Sequence, residues 1–362
     1  TRDMSWVVTV PVESDEGKVL NDWFDAPIGY ITATKEWAEA NGKDWKPYWQ
    51  DENTALIHFI GKDNIVFHCI IFPSILKGHG DYIVPTNVPA NEFLNLEGRK
   101  ISTSKNWAIW MHEFADQYPE QIDALRYVLT AIMPENKDAE FTWAEYKARV
   151  DNELVATFAN FINRVKVLSL KNFDGVPHRQ ELSPEETSLV EEVHAMVRQC
   201  GDFIRQYRFR DALNELMKIA RAGDKYLSER EPWHMVKQDK AAAGHVLNIG
   251  LNLAAILATV AEPFMPETST KVFQMLGIAP LTWQDLDGFD FVQGGQPLEN
   301  IPHLFKKIDP KMIDAEIEKL HQSDVTAEEE ETVNLPELKA ETTIDDFQKM
   351  DLRVGTILGA GR

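Results

Sequence analysis

From about Trp107 the apolar residues fall into helical spacing, and nearly everything between residues 142 and 275 keeps that spacing. A run this long, with a period near 3.6, can bury its stripes only by packing helix against helix, so an all-α bundle is expected here. Residues 147–170 form one long amphipathic pattern, with Val150, Leu154, Phe158, Phe161, Ile162 and Val165 on one face. Further helices are expected over 185–200, 209–227, 241–260 and 268–276, bounded by Pro177, Pro184, Pro232 and Pro263. Residues 247–260 are the most apolar stretch, but they are shorter than the roughly 20 residues of a membrane span. Asn248 and Asn252 also interrupt them. They read as a buried bundle helix in a soluble protein. Residues 121–129 add an earlier helix, and 308–322 a later one with Met312, Ile313, Ile317 and Leu320 on a stripe.

The first hundred residues have a different texture. Residues 6–10 and 65–72 are short apolar runs that read as strands, 34–41 and 45–51 read as helices, and Pro73 and Pro85 mark turns. This part is α/β. Residues 323–343 are acidic and nearly free of large apolar groups; the Glu328–Glu331 run repels itself, so a flexible linker is expected. Phe347, Leu352, Val354, Ile357 and Leu358 then suggest the first strand of a β domain.

Composition narrows the function. With 37 basic and 58 acidic residues the net charge is −21, which argues against sequence-blind nucleic-acid binding but leaves room for a local basic face. Two distant cysteines, Cys69 and Cys200, point to a reducing compartment rather than a disulfide framework. The opening Thr1-Arg2-Asp3-Met4-Ser5-Trp6 has neither an initiator methionine nor the apolar run of a secretory signal, so a piece of a longer protein is expected.

Four segments can carry chemistry. Trp23-Phe24-Asp25-Ala26-Pro27-Ile28-Gly29-Tyr30 sets two aromatics seven apart around small residues, which suits an apolar cleft wall; a core strand running into a turn fits it as well. Gly61-Lys62-Asp63, after an apolar run, puts a glycine and a carboxylate at the C-terminal end of a strand, where open α/β sheets bind ligands. His68 follows, a ligand contact or a satisfied core histidine. Gly98-Arg99-Lys100-Ile101-Ser102-Thr103-Ser104-Lys105 places three hydroxyls between cations and can wrap phosphates, or be a solvated basic turn; it lacks the P-loop spacing. Finally, Asn160 and Arg164 share a helix face, as two base-edge readers would. Pro232-Trp233 can hold an aromatic ring as a stacking platform. A surface salt bridge and a helix cap are the plainer alternatives. Arg198, Arg205, Arg208 and Arg210 form a further basic cluster, suited to an RNA backbone or to a solvated helix face.

Taken in order, these segments resemble the C-terminal two-thirds of the methionyl-tRNA synthetase family, class I aminoacyl-tRNA synthetases. The first matches the family's methionine-pocket pattern, and Phe59-Ile60-Gly61-Lys62-Asp63-Asn64 with Phe67-His68 matches its adenosine segment. Lys100-Ile101-Ser102-Thr103-Ser104 falls at the KMSKS loop. Asn160, Arg164, Pro232 and Trp233 match the anticodon readers, and Glu262-Pro263-Phe264-Met265-Pro266 matches a late shared helix. The match runs over about residues 1–310. Asp345-Asp346-Phe347-Gln348-Lys349-Met350-Asp351-Leu352-Arg353-Val354-Gly355 resembles the opening of an OB-fold tRNA-binding module.

The resemblance implies a fold made of the second half of a Rossmann-like catalytic domain followed by an all-α anticodon-binding bundle. Its parts would be the catalytic half (1–112), a stem-contact connector (113–145), the bundle (146–322), the acidic linker (323–343) and the truncated OB-fold module (344–362). It implies ATP-dependent activation of methionine to methionyl-adenylate and transfer to methionine tRNA in the cytoplasm, with no membrane. Trp23, Ala26, Pro27, Tyr30 and His68 would line the methionine pocket. Gly61, Asp63 and Thr103 would bind ATP, which arrives with magnesium. Lys100, Ser102, Thr103, Ser104 and Lys105 would serve the phosphates. Asn160, Arg164, Pro232 and Trp233 would read the anticodon. A complete C-terminal module would support a homodimer.

Two departures stand out. Thr103 replaces the second KMSKS lysine, a charge Lys105 can supply from two residues on. The HIGH motif and the cysteine-rich zinc knob are not in these 362 residues, so zinc is expected only in a preceding part, and the fragment alone is expected to be inactive. The competing readings are another class I synthetase of the leucine, valine or cysteine type, and a non-catalytic tRNA-binding or assembly protein derived from a synthetase.

Overall fold

Thr142 begins the bundle: its hydroxyl accepts the Glu145 N–H at 3.1 Å and caps the helix Trp143–Arg149. The computed structural model describes residues 26–330, and of 323–330 only the backbone. The strands expected at 6–10 and after residue 344, Trp23, and the acidic residues beyond Glu330 lie outside that range.

Within it, α1 (Ile28–Ala40) and α2 (Lys46–Gln50) precede β1 (Ile60–Gly61). A π-helical turn, Phe67–Ile71, leads into α3 (Phe72–His79), followed by β2 (Ala90–Asn91), β3 (Leu94–Leu96) and β4 (Arg99–Lys100). Then come α4 (Met111–Gln117), α5 (Ile122–Ala131) and β5 (Ala139–Phe141). α6 (Trp143–Arg149) widens into a π-helical stretch, Val150–Ala159, and continues as α7 (Asn160–Phe173). The bundle is completed by α8 (Pro184–Arg205), α9 (Phe209–Arg230), the short α10 (Pro232–Met235), α11 (Lys240–Ala261), α12 (Pro266–Leu276) and α13 (Pro310–Glu330).

The strands form two small sheets. β1 pairs with β2 in parallel, Gly61 opposite Asn91. β3 is the centre of the other sheet, antiparallel to β4 and parallel to β5.

The six apolar residues expected on one face of 147–170 are all buried. α11 lies in the middle of the bundle. By length and composition it could cross a membrane, but 89% of that window is buried against the other helices. Its two asparagines are partnered: the Asn248 amide donates to Pro177 O at 2.8 Å, and Asn252 Oδ1 accepts the Phe291 N–H at 2.7 Å. Inside an apolar helix they fasten the segments that wrap it. Helices approach closely where α9 presents Gly223 to the Phe161 ring, since a Cβ there would lie 2.6 Å from it.

Three expectations need correction. Residues 65–72 are helical, not a strand. A continuous apolar run has no period to separate the two, and only its length and flanks could arbitrate. Pro73 accordingly sits in the first turn of α3 instead of a loop. The wide turn ahead of it, with the Phe72 N–H on Phe67 O, suits a proline that has no N–H to donate. The acidic stretch expected to be flexible from 323 is helix as far as Glu330, because glutamate is a good helix former whenever a packed helix already leads into it.

Candidate functional site

Tyr30 stands in the first turn of α1 and His68 in the π-helical turn before α3. The Tyr30 hydroxyl and His68 Nε2 are 3.1 Å apart, and His68 Nδ1 is 3.2 Å from Asn64 O. A carbonyl only accepts, so in the neutral imidazole Nδ1 carries the proton and the tyrosine hydroxyl donates to Nε2. The two rings border an aromatic cleft of about 360 Å³ that also takes in Thr34, Trp49, His58 and Phe59. Trp49 is fixed by its indole N–H on Thr34 Oγ1 at 2.9 Å. His58 stacks on Phe72 and meets His68 edge-on at 5.5 Å. Burial, then the charge His68 would carry, lowers the His58 pKa below the ordinary histidine value. Ala26 and Pro27 are not among the cleft's lining residues; Ala26 O accepts the Gly29 N–H at 3.0 Å and turns the chain into α1.

β1 runs from the cleft to the second segment. Ile60 lines the cleft and Gly61 ends the strand, followed by one 3₁₀ turn, Lys62–Asn64. A Cβ on Gly61 would lie 2.8 Å from Asp63 Oδ1, so the glycine lets the carboxylate fold over the strand end.

The third segment is a hairpin rising from β4. Ser102 and Trp107 exchange both backbone hydrogen bonds at 2.9–3.0 Å, and Asn106, at φ 53°, closes the turn. The Ser102 and Ser104 hydroxyls lie 3.2 Å apart, and Ser102 Oγ accepts the Lys105 N–H at 3.4 Å. Lys100, Thr103, Ser104 and Lys105 are exposed, so the tip offers hydroxyls and ammonium groups to solvent. Buried Trp107 anchors its base by donating to Leu96 O at 2.9 Å.

The fourth segment assembles in the bundle. Arg164 lies over the Trp233 ring at 4.7 Å and pairs with Asp224 Oδ1 at 2.7 Å; the Asn160 amide reaches the same oxygen at 3.4 Å. Buried Pro232 starts α10, with Glu231 at φ 48° making the corner. Trp233 therefore stays half-buried with one face backed by a guanidinium. The salt bridge forms, no side chain caps α10, and the Trp233 ring lies in the same cluster as the Arg164–Asp224 pair. In the other basic cluster, Arg205 and Arg208 pair with Asp202 and Asp211 three residues away, as a solvated helix face does.

α9 links the two regions. Tyr207, two residues before its start, and Phe209, its first residue, pack on Phe59 of the cleft with ring centroids 5.4 and 6.2 Å away. Asp224 stands fifteen residues beyond Phe209, about 22 Å along the helix. Sequence reasoning missed His58, Trp49 and Asp224. A histidine ten residues before His68 gave a faint signal for the first; Asp224, 60 residues from Arg164, gave none. Among the described residues no three His, Cys, Asp or Glu side chains gather as a metal site.

Comparison with known proteins places these features in one family. Residues 1–166 match the family model "tRNA synthetases class I (M)", and residues 176–323 match "Anticodon binding domain of methionyl tRNA ligase". The methionine–tRNA ligase of Christiangramia forsetii is 50% identical over 99% of this chain and 53% of its own length. That of Bacteroides fragilis YCH46 is 47% identical over 99% and 52%. The chain thus spans about half the length of the curated relatives it matches. Mycobacterium tuberculosis methionyl-tRNA synthetase, solved in complex with methionyl-adenylate, superposes with a TM-score of 0.73 at 25% identity, covering 84% of this chain and 58% of that one. With both halves matched in order, the chain belongs to the methionyl-tRNA synthetase family of class I tRNA synthetases.

Proposed function

We propose that the whole protein of which these residues form part is a methionine–tRNA ligase. It would activate methionine with Mg-ATP and transfer it to methionine tRNA in the cytoplasm. The observation that carries this reading is the aromatic cleft: a Tyr30–His68 pair facing a space of side-chain size, beside a glycine–carboxylate strand end.

In the first step the methionine carboxylate attacks the α-phosphate, the bond to the β-phosphate breaks, and pyrophosphate leaves. Tyr30, His68 and Trp23, with Ala26 and Pro27 shaping the entry to α1, would surround the thioether. Aromatic faces favour a thioether by about 0.3–1.5 kcal/mol per contact. Gly61 and Asp63 would take the ribose, the glycine by letting the ligand approach the backbone and the carboxylate by accepting hydroxyls. Lys100 and Lys105, with Ser102, Thr103 and Ser104 as donors, would steady the charge that builds on the leaving pyrophosphate. Lys105 would supply the charge of the second lysine, whose place Thr103 takes. In the second step a ribose hydroxyl of the tRNA end attacks the methionyl carbonyl and AMP leaves. Trp233 would stack on an anticodon base while Asn160 and Arg164 meet its edge. Zinc would belong to the part of the protein outside these residues, and a complete C-terminal module would support a homodimer.

The test is ATP–pyrophosphate exchange by the full-length protein. Exchange that depends on methionine, and not on leucine, valine or cysteine, is expected. Exchange driven by one of those instead, or none with any amino acid, contradicts the reading; the last outcome favours a tRNA-binding protein derived from a synthetase.

A further inference from the structure

Lys62 stands between the two residues assigned to the ribose, yet its ammonium is engaged with protein. It lies 2.5 Å from Glu92 Oε2 and 2.6 Å from Asp138 Oδ1. Asp138 Oδ1 also accepts the Phe93 N–H at 3.0 Å. The ammonium rests 4.3 Å from the centroid of the Phe93 ring, and the Lys100 ammonium is 5.5 Å from that same ring.

Lys62 follows one sheet, and these partners lie in or beside the other. Gly61 ends β1, whose ladder with β2 is two residues long and stops there. Glu92 and Phe93 form the link from β2 to β3. Asp138 immediately precedes β5, which pairs with β3, and β3 pairs with β4, the strand that carries Lys100. Backbone pairing joins each sheet internally and residues 92–93 connect the two along the chain; the side chain of Lys62 adds a tie from the end of β1 to the residues that lead into β3 and β5.

We propose that Lys62 is a positioning residue for adenylate formation, setting the distance between the Gly61–Asp63 turn and the Lys100–Lys105 loop. The inference rests on the reading of the whole protein as a methionine-activating enzyme. The α-phosphate lies between ribose and leaving pyrophosphate, so in-line attack requires both ends of the nucleotide to be held at a fixed separation. One end would be held by each sheet. An error of about 1 Å in such a separation can cost about a hundredfold in rate. A lysine suits this position because its compact charge serves two carboxylates that would otherwise repel each other beside the Phe93 amide.

The test is methionine-dependent ATP–pyrophosphate exchange by the full-length protein carrying Lys62→Met, Lys62→Arg or Asp138→Asn. For Lys62→Met the KM for ATP should rise and kcat fall, each by about tenfold, while the KM for methionine stays within about twofold. Lys62→Arg, whose fork can bridge both carboxylates, should recover most of the loss. Asp138→Asn keeps an oxygen for the Phe93 N–H and should fall between; it carries the test if Lys62→Met fails to fold. Wild-type ATP kinetics in these variants would overturn the proposal. So would an equal loss toward methionine and ATP that Lys62→Arg does not repair, since that marks a general structural role. Absence of methionine-dependent exchange in the wild-type protein would overturn the functional reading itself, and this inference with it.

Discussion

The bundle and the α/β part that precedes it treat their apolar side chains in opposite ways. Among the described residues, fifteen large apolar side chains are exposed; fourteen fall between Ile28 and Met111, and one, Val167, lies in the bundle. The bundle's core runs through every one of its long helices, whereas the cleft stands on a small cluster of Ile31, Trp49, Phe72 and Leu76. Ile65, Val66, Ile70 and Ile71, on one helical segment, leave a face of the kind that a further layer of protein covers. A helical bundle closes on itself once its stripes meet. The α/β part, with its two small sheets, leaves apolar surface exposed.

Substitutions in the two regions should separate them most widely. Leu154 is fully buried in the bundle, and Leu154→Ala should cost about 2–5 kcal/mol of unfolding free energy in denaturant titrations of this chain. Ile70, 59% exposed, should tolerate Ile70→Ser within about 0.5 kcal/mol in the same chain. In the full-length protein Ile70→Ser should become clearly destabilising if that face is covered there. Equal costs for the two substitutions in this chain would remove the contrast.

A pH titration reaches into the bundle. Burial opposes ionisation of Glu186, but the Ser183 N–H, His245 and Tyr226 outweigh it and hold its carboxyl at about 2, from an ordinary 4.5. Because the folded-state pKa is depressed, the stabilisation is complete above about 4.5 and is lost as pH falls toward 2. Glu186→Gln should flatten that part of the stability–pH curve; an unchanged slope would assign the loss to other groups.

Trp233→Ala should reduce discrimination between methionine and altered anticodons by about 1–3 kcal/mol, with a smaller change in overall tRNA affinity. Filter-binding curves with both tRNAs measure this, and retained discrimination would relocate the platform. The smallest perturbation uses the two thiols. Cys69 is exposed, while Cys200 is buried, and burial together with the Glu215 charge pushes its thiol up to about 12. At pH 8 mass spectrometry of the alkylated native chain should find one thiol modified, and the second only after denaturation. Rapid labelling of both would mean that the bundle opens readily.

The bundle was the most legible region because its helices repeat their apolar residues at 3.6, and every expected helix from 147 to 276 forms with ends shifted by a few residues. The helix through His68 was hidden, since Ile65 to Phe72 alternate nothing. In the candidate site, Asn160 and Arg164 were readable as a pair four apart on one helix, and Gly61-Lys62-Asp63 as a strand end. Asp224 and Lys62's partners, Glu92 and Asp138, were not: contacts 30 to 76 residues distant leave no local spacing to read. Ala26 and Pro27 carry the family pattern, but pattern alone did not distinguish residues that line the cleft from those that turn the chain into α1.

The most direct measurement is binding of this chain to methionine tRNA, with its own and with an altered anticodon, across a salt series. Anticodon-dependent binding is expected, weaker by about 1–3 kcal/mol for each changed base, with a shallow salt slope because base readout would outweigh phosphate neutralisation. Equal binding of both tRNAs, or a steep salt slope with no anticodon preference, would contradict the assignment of Asn160, Arg164 and Trp233 as readers.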